Sequence, residues 1–284
     1  MLIFNNIQQM RTWSLQNRCE NKSIAFVPTM GSLHDGHLSL VSKAKEMAEK
    51  TVVSIFLNQY QFNDAKDFQN YPTSDQTDIE LLKDKNVDVL FMPKSSEVYP
   101  NGDPTIVIDY PELTNQLCGL SRDGHFNSVL TIVHNLLMWV NPDIAIFGQK
   151  DYQQWLLIYN MCSDLNLPVK IIRSEIHRQN DGLALSSRNA RLSDNGKIEA
   201  LTISQTLNIV HQEWSQNRDI TSSDLQIILQ TALKNLDVEY CGIYDMQTLQ
   251  PLKESIKVDN AIVAVAVYIE KVRCIDNVLL TTLD

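Results

Sequence analysis

Val27-Pro-Thr-Met-Gly-Ser-Leu-His-Asp-Gly-His-Leu-Ser-Leu40 joins two elements of opposite character. Ahead of it, Ser23 to Val27 is a short apolar run with the length of a buried strand, and behind it Leu40 to Glu49 reads as a helix. The stretch between is a turn with two glycines and two histidines, set between a strand's carboxyl end and a helix's amino end. Free backbone N–H groups and the helix dipole favour an anion there, and phosphate is the natural candidate. Gly31 lets the backbone approach a ligand, Gly36 is read as relieving the turn, and His34 and His37, three apart, can point the same way. A lone His-x-x-His pair is more often two solvated histidines on a turn. The flanking Pro-Thr-Met-Gly shifts the reading to a ligand site.

The surrounding chain extends this into a β-α-β unit. Thr51 to Leu57 is β-branched and apolar enough for a second buried strand, which should run parallel to the first with a right-handed crossover. Ligands of such sheets sit at the carboxyl ends of the strands, where Asn58 and Gln61 fall. An opening helix is expected over Phe4 to Asn17, a helix over Ser74 to Lys85, and strands over Val87 to Met92 and Thr105 to Ile108. Asp75 and Asp78 lie in the first turns of the Ser74 helix, where they either complement its dipole or serve a metal. A strongly apolar helix spans Ser128 to Val140, and Ile144 to Phe147 is the next buried strand. Its exit, Gly148-Gln-Lys-Asp-Tyr-Gln-Gln154, is a second glycine-led turn in which Lys150 offers a point charge for phosphate and Asp151 and Gln154 can face the same cleft. After a strand over Val169 to Ile172, Asn180 to Asn189 holds Ser186, Ser187 and Arg188, which suit either a phosphate clamp or a helix cap with a surface arginine. Beyond Ser193 come helices rich in Asn, Gln and Ser and then strands over Val238 to Met246 and Ala261 to Ile269.

A chain of 284 residues with 44% hydrophobic and 20% charged residues can bury a sizeable core and suits two unequal domains. No apolar run approaches membrane-spanning length, and Met1 to Arg11 lacks the features of a secretory signal, so the protein reads as cytoplasmic with no membrane partner. The five cysteines are scattered and odd in number, which suggests reduced, mostly buried thiols and neither disulfides nor zinc. A formal charge of −10 argues against nucleic acid. It does not argue against a small anion, because local contacts outweigh a net charge screened over about 8 Å.

Taken together, Pro28 to His37, Asn58 to Phe62 with Gly148 to Gln154, and Asp181 to Asn189 resemble the pantothenate synthetase (pantoate–β-alanine ligase) family of the nucleotidylyltransferase superfamily, essentially end to end. The resemblance implies an α/β fold, with a Rossmann-like parallel-sheet nucleotide-binding domain over residues 1–175 and a smaller α+β domain over 176–284 that closes over the site. It implies that pantoate and ATP give pantoyl adenylate and pyrophosphate, and that β-alanine then displaces AMP. Magnesium and a homodimer are implied as well.

Carried over residue by residue, the family pattern puts Met30, Gly31, Ser32, Leu33, His34, Asp35, Gly36 and His37 around ATP, with His34 and His37 at the phosphates and His37 as proton donor. Gly148, Gln149, Lys150 and Asp151 would contact the nucleotide, Lys150 on phosphate and Asp151 on ribose. His177 would flank adenine, and Leu185, Ser186, Ser187 and Arg188 would close over the triphosphate. Gln61 and Gln154 would hold pantoate, with Asn58 and Met30 lining the same pocket, and Asp78 matches an acidic position near magnesium. Departures stand at Gln59, where proline is common, Gln149 (glutamate), Thr73 (arginine) and His177 (an apolar residue). Attack of a carboxylate on the α-phosphate needs fixed donors and cations and no protein nucleophile. Lys150, Arg188 and the histidines are of that kind. Two other readings share the first turn: a nucleotidylyltransferase releasing a stable nucleotidyl product, and a nucleotide-binding module without turnover. Neither accounts for the glutamines at 61 and 154.

Overall fold

The computed structural model describes residues 1–282. Positions 283 and 284 of the expected second domain lie outside the described residues. The chain divides into two compact units: Met1–Thr114 with Gly119–Gly148 and Gln154–Glu175, and Asn115–Cys118 with Gln149–Gln153 and Ile176–Asp284. The sequence places the division after residue 175. The two short segments that the structure assigns to the second unit have no signature in composition.

In the first unit the elements run β1 (Leu2–Phe4), α1 (Ile7–Cys19), β2 (Ile24–Thr29), α2 (Asp35–Met47), β3 (Lys50–Ile55), α3 (Ala65–Gln69), α4 (Asp75–Asp84), β4 (Val89–Phe91), α5 (Ser95–Val98), α6 (Pro111–Thr114), α7 (His125–Val140) and β5 (Ile144–Gly148). Then come α8 (Tyr152–Asp164) and β6 (Lys170–Ser174). Among the described residues the sheet has six strands in the order β1-β4-β3-β2-β5-β6, all neighbours parallel. Strand order reverses between β2 and β5, and such a switch point leaves a crevice at the strands' carboxyl ends. The turn after β2 sits there. Ala25, Val27, Val53 and Ile55 pack with Leu38, Val41 and Ala44 of α2 and Leu82 of α4 in one apolar cluster, which fixes α2 behind that turn.

Three local expectations are corrected. The first helix starts at Ile7 and not at Phe4, because Leu2 to Phe4 pair with Val89 to Phe91 as an edge strand. Helix α2 begins at Asp35, five residues before its apolar run, because His34 caps it. Thr105 to Ile108 forms no strand: Ile106 is 82% and Val107 53% exposed, and among the described residues no strand partner accompanies them.

In the second unit α9 (Asp194–Gln216) and α10 (Ser222–Leu233) cover an antiparallel sheet of β7 (Asp237–Asp245), β8 (Ala261–Ile269) and β9 (Val272–Leu280), in that order. Ala261, Val263, Val265, Val267 and Ile269 of the central strand pack in one cluster with Ile203, Leu207, Leu225 and Leu229. Strand β9 escapes the sequence reading, since Arg273, Asp276 and Asn277 interrupt its apolar pattern. Of the cysteines, Cys118 and Cys162 are buried, Cys241 and Cys274 half-buried and Cys19 exposed. No helix among the described residues is long and apolar enough to cross a membrane.

Candidate active site

Thr29 and Asp78 hold the turn after β2 by hydrogen bonds. Thr29 Oγ1 donates to the Ser54 carbonyl at 2.8 Å and accepts from Gly31 N–H at 3.2 Å. Gly31 then adopts φ +83° and Ser32 φ +52°. The left-handed step therefore falls on Gly31 and Ser32. Gly36, expected to relieve the turn, is helical and donates its N–H to His34 Nδ1 at 3.2 Å. A Cβ on Gly31 would meet Ile55 Cγ2 at 3.1 Å and Asp78 Oδ2 at 3.2 Å, so space as well as φ demands glycine.

His34 and His37 form an unusual capping box. His34 Nδ1 accepts from Gly36, and His37 Nδ1 accepts from the His34 N–H at 3.4 Å, with the two rings 4.1 Å apart. A ring nitrogen that accepts cannot carry the proton, so in each neutral imidazole the hydrogen sits on Nε2. Both rings are thereby held as Nε2–H donors at the amino end of α2.

Asp78, the acidic residue expected near magnesium, lies against the turn after β2. Its carboxylate is fully buried and accepts from Ser32 N–H (2.8 Å), Leu33 N–H (2.9 Å) and Ser74 Oγ (2.9 Å). These bonds hold the backbone of residues 32 and 33 in place. Among the described residues no group of three or more His, Cys, Asp and Glu stands ready for a metal ion.

A second group lies past β3. Asn58 is fully buried, accepts from Tyr99 OH at 2.8 Å and donates to the Ser128 carbonyl at 3.4 Å. Burial, reinforced by neighbouring Tyr60, pushes the Tyr99 phenol up to about 12. Gln61, also buried, reaches the Met30 sulfur with Nε2 at 2.7 Å, which brings the substrate-pocket candidates of the two turns together. Its backbone carbonyl accepts from His125 Nδ1 at 2.6 Å and Arg122 Nη2 at 3.4 Å. Arg122 lies just ahead of α7 and His125 opens it, in a stretch to which the sequence reading assigns no role. A dense polar run ahead of an apolar helix was the available signal. Gln154 is half-buried at the start of the part of α8 that belongs to this unit.

In the second unit, Gln149–Asp151 form a single 3₁₀ turn. Lys150 and Ser186 line one small cavity, about 20 Å³, together with Asn189, Arg273, Cys274 and Asp276. That volume suits about one water molecule. Ser186 Oγ caps the 3₁₀ turn Ser187–Arg191 by accepting from Arg188 N–H at 3.3 Å. Leu185 N–H donates to the His177 carbonyl at 3.1 Å, so the expected adenine and triphosphate residues share one hairpin.

A parallel sheet whose switch point carries a glycine turn and two imidazoles at a helix amino end, in a chain that also holds a lysine turn after β5, has the form of a nucleotide-using α/β enzyme. The family model for pantoate–β-alanine ligase matches residues 2–279. A pantothenate synthetase of Leptospira interrogans is 41% identical over 278 residues, covering 97% of this chain and 95% of the relative. The solved pantothenate synthetase of Thermus thermophilus superposes with a TM-score of 0.90 at 34% identity, covering 99% of this chain and 100% of that one. The pantoate–β-alanine ligase of Francisella tularensis, complexed with β,γ-ATP and β-alanine, has a TM-score of 0.79 at 37% identity over 99% and 98% of the two chains. The chain belongs to the pantoate–β-alanine ligase family. It is accordingly an ATP-dependent, AMP-forming ligase that joins pantoate to β-alanine.

Proposed function

We propose that the ligation runs through pantoyl adenylate, with the residue roles that follow. A carboxylate oxygen of pantoate attacks the α-phosphorus of ATP, the α,β-bridging P–O bond breaks, and pyrophosphate leaves. The amine of β-alanine then attacks the acyl carbon, the bond to AMP breaks, and the nitrogen gives up a proton as the amide forms. Negative charge grows on phosphoryl oxygens in the first step, where preorganised donors stabilise the transition state more than the ground state. His34 and His37 supply Nε2–H groups, and Lys150 and Arg188 supply positive charge. Each charge-assisted hydrogen bond contributes about 1.5 to 3 kcal/mol. The observation that carries this reading is the double use of Nδ1 on helix backbone, which holds both rings as donors at the switch point.

Gln61 and Gln154 are proposed to hold the hydroxyl and carboxylate ends of pantoate, with Met30 and Phe62 as its apolar wall and Asn58 completing the pocket. Gly148, Gln149 and Asp151 are assigned to the nucleotide, Asp151 on ribose, and His177 and Leu185 to adenine. Ser186 and Ser187 are assigned to the triphosphate. Magnesium ordinarily keeps several waters and binds through substrate phosphates, so it is assigned to ATP itself and not to a carboxylate cage. A cytoplasmic homodimer completes the reading. It is supported by the family resemblance.

Positional isotope exchange tests the two-step course. ATP labelled with heavy oxygen in the α,β-bridge should scramble label into non-bridging β-positions when pantoate is present and β-alanine absent. Scrambling without pantoate, or only after β-alanine is added, would contradict it. If pantoate elicits none, rapid quench should still trap pantoyl adenylate, and its absence there would end the proposal.

A further inference from the structure

Strand β9 carries two neighbouring polar residues, Asp276 and Asn277, each only 4% exposed. Consecutive side chains of a strand point to opposite faces, so burial of both means that β9 is covered on both sides at this point. Buried polar groups require partners, and these partners are specific.

Asn277 uses its whole side-chain amide on one turn. Nδ2 donates to the Gln149 carbonyl and to the Lys150 carbonyl, both at 3.0 Å, and Oδ1 accepts from Gln149 Nε2 at 3.3 Å. Two donor hydrogens and one acceptor atom are thereby engaged by residues 149 and 150. Asp276 faces another segment. Its carboxylate accepts from Arg178 Nη1 at 2.6 Å and Nη2 at 3.0 Å, and from the Asn277 N–H at 2.8 Å. Arg178 Nη1 also donates to the Gly182 carbonyl at 3.2 Å, and residue 178 bridges residue 184 across the hairpin that continues into Ser186. Asn189 Nδ2 closes the far side on the Ala184 carbonyl at 2.9 Å.

We propose that Asp276 and Asn277 are positioning residues for the phosphate-binding groups of the second unit: Asn277 fixes the backbone from which Lys150 projects, and Asp276, through Arg178, fixes the hairpin that carries Ser186 to Arg188. The proposal rests on the assignment of Lys150 and Arg188 to the ATP phosphates. Its physical basis is that lysine is a point charge on a flexible four-carbon stem, so the reach of its ammonium follows the placement of its Cα. Pinning two successive carbonyls restricts that placement. Pinning the hairpin with a bidentate, largely buried carboxylate does the same for Arg188.

The test is a kinetic cycle. Asn277→Asp is nearly isosteric but turns a carboxylate oxygen toward two carbonyls. It should raise the KM for ATP or lower kcat by about tenfold to a hundredfold while leaving the KM for pantoate near that of the parent. In a Lys150→Ala background the same change should add less than about twofold, since the group it positions is already gone. Asp276→Asn should behave likewise against Arg188→Ala. Should Asn277→Asp fail to fold, Asn277→Ser, which deletes the amide donor to both carbonyls without adding charge, should give the same rise in ATP KM and its loss in the Lys150→Ala background. If Lys150→Ala alone keeps most of its activity, the phosphate assignment falls and this proposal with it. If Lys150→Ala is crippled yet the Asn277 changes multiply its loss in full, the phosphate assignment stands and positioning through Asn277 is refuted. Equal rises in ATP and pantoate KM would likewise refute it.

Discussion

The carboxylate of Asp78 accepts the backbone N–H of Ser32 at 2.8 Å across 46 residues of sequence, and the next N–H, that of Leu33, enters its other oxygen. The start of α4 is thereby tied to the turn after β2. Asp78→Ala leaves two backbone donors without their acceptor, and each unsatisfied buried group costs about 1–3 kcal/mol. We expect about 2–5 kcal/mol of lost stability by denaturant unfolding, together with weakened ATP binding by calorimetry. Extra magnesium should not restore the binding. Full restoration by magnesium would return Asp78 to a metal role.

Gly31→Ala places a side chain at φ +83° against Ile55 and Asp78. The left-handed conformation alone costs about 1–2 kcal/mol for a residue with a Cβ. ATP affinity should drop more than thermal stability, because the displaced backbone belongs to the turn proposed to receive the phosphates. An alanine variant that binds ATP like the parent would show that this turn does not contact the nucleotide.

Gln61→Ala removes the amide that now rests on Met30. The requirement for pantoate should rise strongly, with ATP titration changing little, since a site built to bond a polar substrate discriminates through those bonds. Steady-state kinetics and calorimetry separate the two effects. A selective loss of ATP binding would move Gln61 to the nucleotide side.

Tyr99→Phe deletes the donor to buried Asn58 and should cost about 0.5–1.5 kcal/mol at neutral pH. Burial raises the Tyr99 phenol to about 12 in the folded protein, above the value of about 10 expected in the unfolded chain. The folded state therefore favours the neutral phenol. That contribution is complete below about pH 10 and disappears as pH climbs towards about 12. An alkaline titration followed by phenolate absorbance should show one late-ionising tyrosine fewer in the variant. An unchanged titration curve would mean that Tyr99 is not held in its neutral form.

Legibility followed the kind of signal each element sent. Continuous apolar runs announced β2, β3, β5 and β8, because strands buried on both faces leave little choice of residue. The turn after β2 was readable from its glycines and histidines, yet the residue that takes the left-handed step beside Gly31 was not: Ser32 carries φ +52° because Asp78 holds its N–H, a contact 46 residues distant. Helix α2 was read too short for a related reason, since histidine is not a customary cap and the capping contact belongs to a ring atom. Strand β9 was missed because Asp276 and Asn277 satisfy themselves on segments far away in sequence. Thr105 to Ile108 has the composition of a strand, but composition cannot say whether a partner lies alongside.

The histidine cap of α2 has a further meaning for reach. An ordinary serine or aspartate cap ends the matter by absorbing a backbone N–H. An imidazole accepts that N–H on one edge and presents another N–H from the opposite edge of a rigid, conjugated ring. Each histidine thus relays the positive end of the helix outward by the width of its ring. Stability and reach are separable in this turn: any acceptor at position 34 can keep the helix started, but only an imidazole carries the donor past the surface of the backbone.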